Sequence, residues 1–217
     1  MNKNLKFTFT LTYILLLTTA TITFIEALRT DDPVVRHILN IETAVSLIAG
    51  YFYSSFLKQI ENKKEIDWEK MTKTRYLDWA ITTPLMLLAL CLALNTGKSG
   101  NTTALTLPIF LVIVLLNYLM LGIGFAGEQK YISMKTSVLA GFIPFFIMFF
   151  IIYKKFVKDN TRFNYVFFMF FASIWAMYGL VHNWKKNEKN IVFNVLDLIA
   201  KCLIGLGLWL YYIGVFV

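Results

Sequence analysis

The stretch NVLDLIAKCLIGLGLWLYY, residues 194–212, sets a lysine and an aspartate inside an otherwise apolar run. A run of about 20 apolar residues is the length a helix needs to cross a bilayer. Backbone groups in lipid must find their partners within the segment, so such a run reads as a helix. Lys201 lies too deep in it to reach the headgroups easily. Asp197 precedes it by four residues, so the two share one helical face. A charge at mid-membrane costs about 2.5–3.5 kcal/mol on insertion scales, which marks Lys201 and Asp197 as functional candidates.

The rest of the chain repeats the pattern. Hydrophobic residues make up 58% of the 217 and charged residues only 16%, clustered between long apolar runs. Stretches such as FIPFFIMFFIIY do not alternate, which excludes the strands of a membrane barrel. The expected fold is all-α, a bundle of seven transmembrane helices at about 8–28, 39–57, 74–95, 104–125, 133–153, 163–183 and 191–214. No connection is large enough for a second domain, so residues 1–217 read as one domain. The longest connection is QIENKKEIDWEKMTKT, and TGKSGNT and YKKFVKDNTR separate later spans. MNKNLK before an apolar run resembles a signal peptide, but the run is long and is closed by Glu26 and Arg29, so it reads as the first span. The net charge of +8 sits in the gaps between spans, where lysines meet anionic lipid, and gives no reason to expect a nucleic-acid partner. Cys91 and Cys202 both fall within spans and say nothing of redox compartment.

Helix three carries the second constellation, TRYLDWAITTPLML. Arg75, Asp78 and Thr82 are spaced three and four apart and line one face. The Thr82 hydroxyl can reach the Asp78 carboxylate, and Pro84 frees a backbone carbonyl. Taken alone, each helix could hold a structural ion pair. Together they offer two carboxylates and one arginine to one lysine. A lysine in a dry pocket is also a nucleophile toward aldehydes, and a cation formed there would need such a counterion.

With RYLDWAITTPLML on the third helix and DLIAK on the seventh, the sequence resembles the microbial (type 1) rhodopsins over essentially its whole length. The resemblance implies all-trans retinal bound covalently to Lys201 as the Schiff-base lysine. It implies Asp78 as primary counterion and proton acceptor, Asp197 as second counterion, Arg75 as the gate beneath them and Thr82 as the contact of the acceptor carboxylate. It places Trp79, Thr83 and Met86 in the retinal pocket. NYLMLGIGFAG is similar to the family's pocket segment on the fourth helix and adds Asn117, Met120 and Gly124. IWAMYGLVHN is similar to the segment on the sixth and adds Trp175 against the polyene, Tyr178 toward Asp197, then Gly179 and His182. For these aromatics and methionines the plain alternative is ordinary helix packing, because in a chain that is 17% aromatic a chance match at one position is easy.

Several positions depart from an efficient outward proton pump. Ala89 stands where the family's cytoplasmic proton donor lies, Gly179 replaces a proline, and His182 replaces an aromatic. The paired glutamates that release protons outside in some members are missing from WKKNEKN. Glu42 lies in the cytoplasmic half by alignment through AGYFY, either as a headgroup contact or as a relay replacing the donor. Glu26 and Arg29 could bind lipid, narrow a pore or face an oligomer axis. A lone His182 is a poor metal site, and no metal is expected. The compact loops and missing donor are similar to the rhodopsins of large algal viruses. The expected activity is light-driven outward proton transport, with a light-gated channel or a sensor acting through a membrane partner as alternatives. No signature of hydrolytic or transfer chemistry is present, so an enzyme is not expected. Expected partners are the bilayer, the transported proton and further copies of the chain. The Lys/Arg distribution favours an inside N-terminus, whereas the family orientation, followed here, places it outside.

Overall fold

The computed structural model describes residues 3–62, 66–96, 105–158 and 160–215. Seven long helices follow one another among them: α1 Lys3–Arg29, α2 Pro33–Asn62, α3 Trp68–Thr96, α4 Leu107–Glu128, α5 Met134–Val157, α6 Arg162–Val181 and α7 Lys186–Tyr212. All but α2 are long and apolar enough by composition to cross a membrane.

The helices overrun the expected spans, most of all around the connection from α2 to α3. There α2 continues to Asn62 and α3 begins at Trp68, so much of QIENKKEIDWEKMTKT is helical. The cause is polar and local. Asp67 Oδ1 accepts from the Lys70 N–H at 3.0 Å, as an N-terminal cap does. Lys73 pairs with Glu69 at 2.6 Å, one turn apart, and Lys6 reaches Glu61 at 3.0 Å. α7 likewise begins five residues earlier than expected, because Lys189 and Asn190 are already buried. The stretch TGKSGNT between α3 and α4 lies almost wholly outside the described residues.

The chain packs as two compact units. Unit 1 holds residues 1–82 and 184–217, thus α1, α2, the start of α3 and all of α7. Its core gathers Leu5, Phe9 and Leu16 of α1, Phe52, Tyr53 and Phe56 of α2, Met71 of α3 and Cys202 of α7. Thr23 and Thr43 join α1 to α2 through a buried hydroxyl pair at 2.8 Å. In a medium without water, such pairs satisfy groups that would otherwise be stranded.

Unit 2 holds residues 83–183. Its interior is aromatic: Phe149 of α5 meets Phe145, Phe168, Phe171 and Trp175, and Phe171 stacks on Trp175 at 5.2 Å. Gly127 lets α4 approach Ser137 of α5, where a Cβ would collide with the serine side chain. The outward faces are apolar. On α5, Leu139, Ile143, Phe146 and Phe150 form an exposed stripe at helical spacing, as expected of a surface in lipid.

α7 is not a regular α-helix at its lysine. Residues Leu198–Leu203, which include Lys201, form a π-helical stretch. Such widened turns concentrate at functional sites.

Candidate functional site

Within unit 1 the two constellations meet. Lys201 Nζ donates to Asp78 Oδ2 at 2.9 Å and lies 3.9 Å from Asp197 Oδ2. All three side chains are essentially inaccessible. The lysine therefore favours the aspartate of α3 over the one in its own helix.

Asp197 is otherwise engaged. Tyr53 of α2 donates its hydroxyl to Asp197 Oδ2 at 2.7 Å. The Trp79 indole donates to Asp197 Oδ1 at 3.3 Å, and Arg75 reaches Oδ2 at 3.3 Å. Arg75 is the ion partner of Asp197, although it shares a helical face with Asp78. Its other nitrogen donates to Asn194 Oδ1 at 2.8 Å and Asn190 Oδ1 at 3.2 Å. The rings of Phe9, Tyr53, Phe56, Trp79 and Phe193 surround the guanidinium, each with its centre within 6 Å. A cation removed from water is held well by such faces. Asp78 keeps a plainer shell: Thr82 lies 3.3 Å from its Oδ1, although that hydroxyl bonds the Asp78 backbone carbonyl more closely, at 2.8 Å.

Tyr53, Asn190 and Asn194 were not singled out from the sequence. The asparagines carried a signal: 190, 194, 197 and 201 recur at helical spacing and mark one polar face of an apolar helix. Asn194 also ties α7 to α1: its amide donates to Thr8 at 3.0 Å, and its backbone carbonyl accepts from Thr12 at 3.1 Å.

Glu42 is 3% exposed, so its side chain lies inside the packed helices. A Cβ built on Gly205 would stand 3.0 Å from Glu42 Oε2 and 3.1 Å from Thr19 Cγ2, so Glu42 faces α7 one turn beyond Lys201. The buried hydroxyl of Ser46 has no hydrogen-bond partner among the described residues, and that of Thr19 lies beside the Cys202 thiol. Glu26 and Arg29 pair at 3.8 Å at the end of α1, with the Arg29 side chain 73% exposed.

The remaining pocket candidates belong to unit 2. Asn117 donates to Thr83 Oγ1 at 2.8 Å, tying α4 to α3. Met86 and Trp175 are buried, while Met120, Gly124, Tyr178 and Gly179 are half-buried. Gly179 packs against the Phe142 ring, and His182 approaches Gly124 and Glu128 of α4. Ala89 is buried and offers no titratable group.

A chain of long apolar helices whose last one buries a lysine between two carboxylates is a multi-pass integral membrane protein of the seven-helix, lysine-centred class. The family model described as bacteriorhodopsin-like protein matches residues 3–215, and the chain belongs to that family, the microbial type 1 rhodopsins. The crystal structure of viral rhodopsin OLPVRII is similar over 98% of this chain and 99% of that one, at 38% identity and a TM-score of 0.91. The blue-light absorbing proteorhodopsin of Gamma-proteobacterium Hot 75m4 is 26% identical over 156 residues, which are 64% of this chain. That match spans only 60% of the proteorhodopsin's length. The proton-pumping rhodopsin AR2 of the marine alga Acetabularia acetabulum shares the fold, at 17% identity and a TM-score of 0.77 over 100% of this chain and 97% of that one.

Proposed function

We propose that this chain binds all-trans retinal on Lys201 and acts as a light-driven outward proton pump in which Asp78 accepts the proton. The observation that carries the reading is the 2.9 Å contact between Lys201 Nζ and Asp78 Oδ2, both buried. The residues suit a group that makes the lysine nitrogen a cation: one amine, two carboxylates and no water-facing side chain. Bound there, retinal supplies the light absorption and the isomerisation that reorients the nitrogen.

The protein's own groups then divide the labour. Asp78 Oδ2 already accepts the hydrogen bond from Nζ, so moving the proton across it requires no rearrangement of the acceptor. Asp197 is held by Tyr53, Trp79 and Arg75, so it balances charge without being the proton's destination. Glu42 serves as the inner relay in place of Ala89, with Thr19 and Ser46 as hydroxyl steps toward Lys201. The reading includes an extracellular N-terminus, assembly into homo-oligomers through the apolar outer faces, and one retinal-binding domain formed by the whole chain. The pocket roles of Thr83, Met86, Asn117, Met120, Gly124, Trp175, Tyr178, Gly179 and His182 rest on the sequence resemblance.

The test is a photocurrent recorded under voltage clamp from retinal-loaded protein. A one-directional outward current, unchanged when Na⁺, K⁺ or Cl⁻ is exchanged, is expected. A current that reverses with the ion gradient means a light-gated channel. A coloured, light-responsive protein without current means a sensor. A tag on the N-terminus found on the cytoplasmic side would overturn the orientation.

A further inference from the structure

A second titratable pair with little exposure lies in unit 2. His182 closes α6, and Glu128 is the last residue of α4 with Gly124 one turn before it. His182 Nε2 lies 3.3 Å from the Gly124 carbonyl oxygen, and Nδ1 lies 3.5 Å from Glu128 Oε1. The two side chains are only 8% and 11% exposed.

The chemistry of these partners limits where protons can sit. A carbonyl oxygen only accepts, and so does an ionised carboxylate. A neutral imidazole has a single N–H and can serve one of them, leaving its other nitrogen's lone pair facing an acceptor. Both contacts are satisfied together when both ring nitrogens carry protons. Helix ends point the same way: the last carbonyls of a helix form its negative pole, which favours a cation in the final turn. His182 stands in the final turn of α6 and against the final turn of α4. The other charged groups at this end of the unit, Lys130 and Lys135, are both exposed, and Tyr178 precedes His182 by one turn on α6.

We propose that His182, as an imidazolium bridging Glu128 and Gly124, is a proton-binding site that clips the C-terminal ends of α4 and α6 together. Loss of that proton removes one of the two contacts and loosens the clip. With the N-terminus outside, both ends face the outer medium, and the proton exchanges with that side.

The experiment is solid-state NMR of the purified, lipid-embedded full chain with ¹⁵N-labelled histidine. The chain has two histidines, and His37→Asn removes the exposed one, leaving His182 as the only signal. At neutral pH both ring nitrogens are expected in the protonated range. In His37→Asn with Glu128→Gln, the new amide can donate to the ring, so one of the two nitrogens should lose its proton. A single unprotonated ring nitrogen in the protein with Glu128 intact overturns the proposal. So does a His182 ring that keeps both protons in the Glu128→Gln protein. If the double variant does not accumulate, the first measurement decides alone. Neither readout uses light or transport, so failure here leaves the pump reading standing, and failure of the pump reading leaves this site standing.

Discussion

Replacing Asp78 by Asn should affect the chromophore more than replacing Asp197 by Asn. Lys201 Nζ lies 2.9 Å from Asp78 and 3.9 Å from Asp197. With an effective dielectric constant of about 20, unit charges at those separations attract by roughly 6 and 4 kcal/mol. Asp197 also divides its charge among Arg75, Tyr53 and Trp79, whereas Asp78 has only Thr82 beside the lysine among the described residues. Both factors give Asp78 the larger share in stabilising the ground-state cation. Retinal-loaded Asp78→Asn should therefore absorb to the red of the parent, by more than Asp197→Asn does, and its light-driven pH change should vanish. Absorption spectra of the two variants in the same lipid, with pH recordings on vesicles, make the comparison. An unshifted Asp78→Asn spectrum beside a shifted Asp197→Asn would refute the reasoning and make Asp197 the principal counterion.

Three further outcomes follow from the same geometry. Tyr53→Phe removes a buried donor to a carboxylate and should cost about 1.5–3 kcal/mol, seen as a lower midpoint of thermal bleaching. Glu42→Gln keeps shape but removes the relay's proton, so recovery of the dark state after a flash should slow by about 100-fold, the lower end of general acid catalysis. Recovery at the parent rate would remove Glu42 from the proton path. Gly179→Ala sets a Cβ 2.8 Å from Phe142 Cζ, and overpacking of this kind should cost about 1–3 kcal/mol, measured as thermal stability.

Much of the fold was legible because each helix is apolar along its length, and lipid leaves the backbone no alternative to helix. The helix ends were less legible. Past the apolar run, local capping and one-turn ion pairs set the limit, as Asp67, Glu69 and Lys73 show, and these read as loop in a hydropathy pattern. At the site, Lys201, Asp78 and Asp197 stood out because charge within an apolar run is rare. Their pairing did not. Spacing put Arg75 beside Asp78 and Lys201 beside Asp197, yet each cation prefers the carboxylate of the other helix. Sequence spacing reports neighbours along one helix, and the partner across the interface depends on the rotation of both. Tyr53 was hidden for a further reason: a tyrosine in an aromatic run such as AGYFY looks like packing until its hydroxyl is located.

The crossed pairing also explains how unit 1 tolerates the four charged groups clustered around Lys201. Lys201 and Arg75 balance Asp78 and Asp197, each pair hydrogen-bonded, which is the condition under which buried charge is bearable. Moving a proton from Lys201 to Asp78 neutralises one pair internally and leaves the net charge of the cluster unchanged. The Arg75–Asp197 pair, fixed by Asn190, Asn194, Tyr53 and the aromatic rings, need not move for that step. The division predicts two classes of variant. Changes in the Arg75 cage should lower stability and assembly of the coloured protein, while changes at Thr82, which carries no charge of the pair, should alter the first proton transfer at nearly unchanged stability. A Phe9→Ala or Asn194→Ala protein that folds as firmly as the parent but transfers its proton at a different rate would place the cage in the proton path and break that division.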